Sequence, residues 1–145
     1  MPRYFTHDEA QKLLPVVEPQ VRQMIHLSGE QEKVEEQLEA IATRVTLMGG
    51  VILDRDQLLK VRARRDALVL RLKETIEAIL DLGCQIKDHR AGLIDFPTLF
   101  RGEEVYLCWK FGEESISFWH GDEGFRGRKQ IDREFLAGHR GESVD

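Results

Sequence analysis

Residues 24–48 read MIHLSGEQEKVEEQLEAIATRVTLM, and within them Met24, Leu27, Gln31, Val34, Leu38, Ile41, Val45 and Met48 recur at alternating spacings of three and four. This is the seam of a helix that buries one narrow stripe against a partner helix, the heptad pattern of a coiled coil. A second seam follows in residues 58–82, where Leu58, Val61, Arg65, Leu68, Leu72, Thr75, Ile79 and Leu82 keep the same spacing. Gly49-Gly50 interrupts the first pattern and Asp54 is placed to cap the second, so the spacing predicts two long helices with a short connection. Helices joined that closely must run antiparallel, and a rise of about 1.5 Å per residue makes the arm on the order of 40 Å long. The polar seam positions Gln31 and Arg65 set the register of the pair.

Working outward, Thr6-His7-Asp8-Glu9 matches a capping box, which starts a helix near residue 7. Pro15 and Pro19 remove two amide donors, so the first helical piece either ends near Leu14 or is kinked before the longer helix. Gly83 ends the second helix. Glu30, Glu32, Glu35, Glu36 and Glu39 crowd the first helix, whereas Arg55, Lys60, Arg62, Arg64, Arg65, Arg71 and Lys73 crowd the second. Pairing between helices is the expected use of the Arg62-Ala63-Arg64-Arg65 run. Val69, Ile76 and Leu80 widen the apolar face toward the base of the hairpin and predict that the next segment packs there.

That segment changes to period two. Residues 84–88, 93–96, 105–110 and 116–120 read as four short strands in an antiparallel β-meander. Ile86 opposite Ile94 and Cys84 opposite Phe96 keep apolar with apolar in the first hairpin, with Gly92 at a left-handed turn position. Trp109 opposite Ile116 and Leu107 opposite Phe118 do the same in the last, leaving residues 111–114 as the turn. This register puts Tyr106 opposite Trp119 and Cys108 opposite Ser117. The fold class expected is therefore α+β, one domain over residues 1–145, with the helical hairpin at 6–83, the β-meander at 84–120 and a Gly-rich tail at 121–145.

The stretches Gly92-Leu93-Ile94-Asp95-Phe96-Pro97, Val105-Tyr106-Leu107-Cys108-Trp109, Phe118-Trp119-His120 and Gly124-Phe125-Arg126-Gly127-Arg128, with the opening Tyr4-Phe5-Thr6, together resemble the bacterial domain-of-unknown-function family 2203. The resemblance spans most of the chain. It implies the fold and brings no established activity.

Composition narrows the function classes. Of 145 residues, 41% are hydrophobic and 32% charged, which is the balance of a folded chain with a highly charged surface. A net charge of −5 disfavours nucleic acid and anionic membranes as partners. No apolar run approaches the length of a membrane span, and residues 1–20 carry no signal-peptide core. A cytoplasmic protein is expected. Cys84 and Cys108 are too far apart for a C-x-x-C pattern and are expected as reduced, buried side chains.

There is no Walker loop, G-x-G-x-x-G, G-x-S-x-G or H-E-x-x-H, so an enzyme is disfavoured and no cofactor is expected. Asp95, Cys108 and His120 are residue types that bind zinc. The register above, however, puts His120 on the sheet face opposite Asp95 and Cys108, so no metal site is expected. His7, His26, His89 and His139 read as surface residues.

Two functions follow. The first is a non-catalytic module that docks a protein partner, or a second copy, through the arm and its apolar tip at Met48, Val51 and Ile52. The second is a small-anion-binding protein or enzyme. In that case the tail folds across Tyr106 and Trp119, and Asp95, Arg126 and Arg128 rim the pocket.

Overall fold

The computed structural model describes residues 3–47 and 54–142. Helix α1 runs His7–Leu47 and α2 runs Arg55–Asp81; the strands are β1 Gln85–Asp88, β2 Leu93–Phe100, β3 Glu103–Lys110 and β4 Phe118–His120. A 3-10 turn at Phe125–Gly127, β5 at Lys129–Gln130, α3 at Arg133–Gly138 and β6 at His139–Arg140 follow. The expected tip residues Met48, Val51 and Ile52 lie outside the described residues.

The helices begin where their caps dictate. The Thr6 amide donates to Glu9 Oε1 at 2.8 Å and the Glu9 amide to Thr6 Oγ1 at 3.1 Å, completing the capping box. Asp54 accepts from the Gln57 amide at the start of α2. Pro15 and Pro19 do not end the first helix. α1 continues through both, because both lie on its exposed side, where the carbonyls of Gln11 and Pro15, deprived of their amide donors, can turn to water.

α1 packs along α2 as a hairpin. Every described seam position is buried or partly buried, and burial is deepest at Met24, Leu27, Val34, Leu68, Leu72 and Ile79. Charge contributes less than expected. Among the described residues, Glu30–Arg64 at 2.8 Å is the interhelical ion pair, and Arg65 turns instead to Asp66 beside it. An exposed pair of this kind is worth only about 0–1 kcal/mol, so the apolar seam holds the hairpin. Spin labels at positions 45 and 58 should report separations below about 20 Å, because packed helix axes lie about 8–10 Å apart. A dominant longer distance would contradict the pairing.

The strands form an antiparallel sheet in the order β1-β2-β3-β4-β5, with β6 pairing on β2. Ile86 stands opposite Ile94 as the alternation predicts. Ile94, Phe96, Leu107 and Trp109 share one core with the hairpin base, in which Ala10, Leu14, Val17, Val21 and Met24 are buried. The flank of α2 expected to meet the sheet region does so only in part: Ile76 packs against the shared core, whereas Val69 and Leu80 are exposed. The close approach is to α1. A Cβ on Gly92, whose φ is 73°, would come within 2.7 Å of both Ile25 Cδ1 and Phe111 Cβ.

The register of β4 corrects the sequence expectation. Tyr106 pairs with His120, Leu107 with Trp119 and Cys108 with Phe118, one residue displaced from the expected pairing. Ile116 is the cause. Its amide donates to Gln11 Oε1 at 2.9 Å and its carbonyl accepts from His7 Nε2 at 2.7 Å. Side chains of α1 thus replace ladder bonds, and Ile116 enters the core without occupying a strand position. The alternation starts afresh at Phe118, and a shift of one exchanges the two faces of the strand.

Candidate functional site

The shift brings Asp95, Cys108 and His120 to one face. Asp95 and Cys108 are cross-strand partners on β2 and β3, and His120 reaches over from β4. One donor atom of each residue lies within 4.8 Å of the other two. Asp95 and Cys108 are fully buried and His120 is 3% exposed. The expectation that the register keeps these ligand types apart is overturned.

The histidine is held in one tautomer. His120 Nδ1 lies 2.8 Å from the Gly121 carbonyl, which can only accept, so Nδ1 carries the hydrogen and Nε2 faces Asp95. The Gly121 amide in turn donates to Glu123 Oε1, which fixes the peptide from its other side. Asp95 Oδ2 stands 2.9 Å from Nε2. No hydrogen bond meets either carboxyl oxygen, although the imidazole at that distance favours the charged carboxylate.

Burial pushes the Asp95 carboxyl above its usual range, against the opposing pull of His120 and Lys87. Burial, with the Asp95 charge added, pushes the Cys108 thiol up to about 12, although Arg128 beside it acts in the other direction. A thiol so held is a poor nucleophile at neutral pH.

The cluster is roofed. The Tyr106 ring lies 5.4 Å from that of His120, and the Tyr106 hydroxyl donates to Glu104, which pushes its own pKa up to about 12. The Arg128 guanidinium is stacked between Phe118 at 4.0 Å and Phe125 at 4.4 Å and is paired with Glu113 at 3.0 Å. Its charge is therefore engaged within the fold.

The pocket expected from the sequence is not assembled. Asp95 and Tyr106 share a face with Arg128 nearby, but Arg126 is exposed in the 3-10 turn and Trp119 points to the opposite side. There Trp119 stacks on Phe135 of α3 at 4.7 Å and lies 5.3 Å from Phe100. The tail thus covers Trp119, as expected of that ring alone. Ending the chain at Gly121 should raise acrylamide quenching of Trp119, read in a Trp109→Phe background; equal quenching in the full chain would refute the cover.

Two histidines read as surface residues are structural. His139 Nε2 accepts the His7 amide at 3.0 Å while its Nδ1 donates to the Leu136 carbonyl. The tail is thereby joined to the start of α1, a contact for which no spacing in the sequence gives a signal.

Fold and site together define an α+β protein in which a helical hairpin carries an antiparallel sheet with a sealed Asp–Cys–His cluster. The chain belongs to the family described as Uncharacterized conserved protein (DUF2203), whose model matches residues 3–131. No curated protein and no solved structure matches the chain.

Proposed function

We propose that the protein is a non-catalytic docking module in which the sheet region is the mount and the helical hairpin, a coiled-coil arm, is the contact. The observation that carries this reading is the contrast in exposure between the two. The clustered Asp95, Cys108 and His120 are sealed from solvent, so a substrate has no way to reach them. The arm instead presents its side chains to water beyond Val34 and Leu68, with Leu47 79% and Leu59 61% exposed. Large exposed apolar groups on a projecting helix pair suit a protein partner that supplies a helix or an apolar groove.

A cytoplasmic, bacterial setting belongs to the same proposal. For its cytoplasmic part, no helix among the described residues is long and apolar enough to cross a membrane. The alternative, a small-anion site at Asp95, Tyr106, Arg126 and Arg128, is less well supported because Glu113 and two aromatic rings already occupy Arg128.

Affinity capture from lysate tests the reading, comparing the full chain with Leu47→Ser/Leu59→Ser and with Met48→Ser/Val51→Ser/Ile52→Ser. The proposal expects a captured protein that both arm variants lose while their helical circular dichroism is unchanged. An identical captured set in all three would overturn it.

A further inference from the structure

We infer that Asp95, Cys108 and His120 form a structural site for a divalent transition metal of the zinc type, sealed within the sheet region. This goes beyond the docking role and does not depend on it.

The donor set comes first. A carboxylate, a thiolate and an imidazole nitrogen are the ligand types that zinc takes, and their donor atoms already lie within 4.8 Å of one another. Zinc bonds of about 2.0–2.3 Å at tetrahedral angles separate ligand atoms by roughly 3.3–3.8 Å. Side-chain adjustments of about an ångström would suffice. Neither oxygen of Asp95 has a hydrogen bond, so the carboxylate is open to ligate through one oxygen or to chelate through both, beside Cys108 Sγ and His120 Nε2.

The surroundings of each ligand point the same way. A histidine that binds metal through one nitrogen characteristically donates the other N–H to a carboxylate or backbone carbonyl, which fixes its orientation. His120 has that arrangement, with Nδ1 on the Gly121 carbonyl and Nε2 turned toward Asp95 and away from water. Asp95 is fully buried without a hydrogen bond, which is costly to maintain unless something absent from the protein's own groups satisfies it. Charge also closes: a carboxylate and a thiolate carry two negative charges, which a dication neutralises. Of the neighbouring cations, Arg128 lies beside the Cys108 thiol but is paired with Glu113, and Lys87 is exposed and lies 5.4 Å from the Tyr106 ring. Burial assigns the ion a structural role.

The test uses the full chain without a histidine tag, produced with zinc in the medium and analysed by elemental mass spectrometry. It also uses unfolded, metal-free protein refolded with one equivalent of Co²⁺. The expected result is about one zinc per chain, and a thiolate-to-cobalt charge-transfer band on refolding. Cys84→Ala should keep both signals, since Cys84 is the other cysteine and lies in the core. Cys108→Ser and His120→Gln should each lose the zinc, and Cys108→Ser the band. Wild-type chain that contains no zinc and develops no thiolate band overturns the proposal whether or not the variants fold. So does zinc retained at full stoichiometry by folded Cys108→Ser and His120→Gln.

Discussion

Trp109→Ala should lower the free energy of unfolding by about 3–5 kcal/mol, the range for truncating a large buried aromatic residue. Domains of this size hold only about 5–15 kcal/mol in total, so the loss is a large share. Trp109 is 1% exposed in the core shared by the sheet and the hairpin base. Its indole Nε1 also donates to the Glu113 carbonyl at 3.0 Å. The carboxylate of Glu113 accepts the Lys110 amide at 2.8 Å and pairs with Arg128. Removing the indole therefore opens a cavity and also releases the β3–β4 turn that places Arg128 above Cys108. Trp109→Phe retains most of the volume and should cost less, about 1 kcal/mol of it for the lost hydrogen bond. Urea unfolding of both variants checks this. A loss below about 1 kcal/mol for the alanine would mean that this face of β3 does not face the core.

The correct placement of Trp109 beside an incorrect placement of Trp119 shows how far the sequence can be read. The heptads are legible because a seam of eight positions repeats one local rule; a helix interior gives no second solution, and the described seam residues are the less exposed ones. The β1–β2 register is legible for a similar reason, since Ile86 and Ile94 leave one pairing that joins apolar to apolar. The β3–β4 register is not. Ile116 and Trp119 both enter the shared core or pack at its margin, and residues three apart cannot lie on one face of a regular strand. Alternation has to be broken between them, and what breaks it is the pair of hydrogen bonds that the Ile116 backbone makes with the side chains of His7 and Gln11. Those residues are more than a hundred positions away. The Ile116-x-x-Trp119 spacing was the available sign of the break, and reading it would have brought His120 to Asp95 and Cys108. The prolines of α1 show the same limit, because whether a missing amide ends a helix depends on whether the freed carbonyl meets water.

His120→Ala is expected to destabilise the chelator-treated protein by about 3–5 kcal/mol, the range for leaving a buried charge without its partner. The imidazole is the group within 2.9 Å of a fully buried carboxyl that has no hydrogen bond of its own. Without it, a carboxylate at that position is uncompensated, and Lys87 is the remaining neighbour that favours its charge besides the weak thiol contact of Cys108. The pH dependence has a definite sign. Burial already raises the folded-state pKa of Asp95 above its unfolded value, so the folded chain binds this proton more tightly than the unfolded one. Such a group costs nothing below the unfolded pKa, and its cost grows as pH rises through the folded value. Losing the imidazole raises the folded value further, so the difference between wild type and His120→Ala should widen from pH 4 toward neutrality. Asp95→Val/His120→Ala removes the stranded charge and should recover part of the loss, with a flatter profile, as expected when a buried charge is replaced by an apolar group. Urea midpoints measured across this pH range for the wild type, the single variant and the double variant decide the matter. A pH-independent difference, or a double variant less stable than His120→Ala at neutral pH, would show that Asp95 is not held as a buried, imidazole-compensated acid.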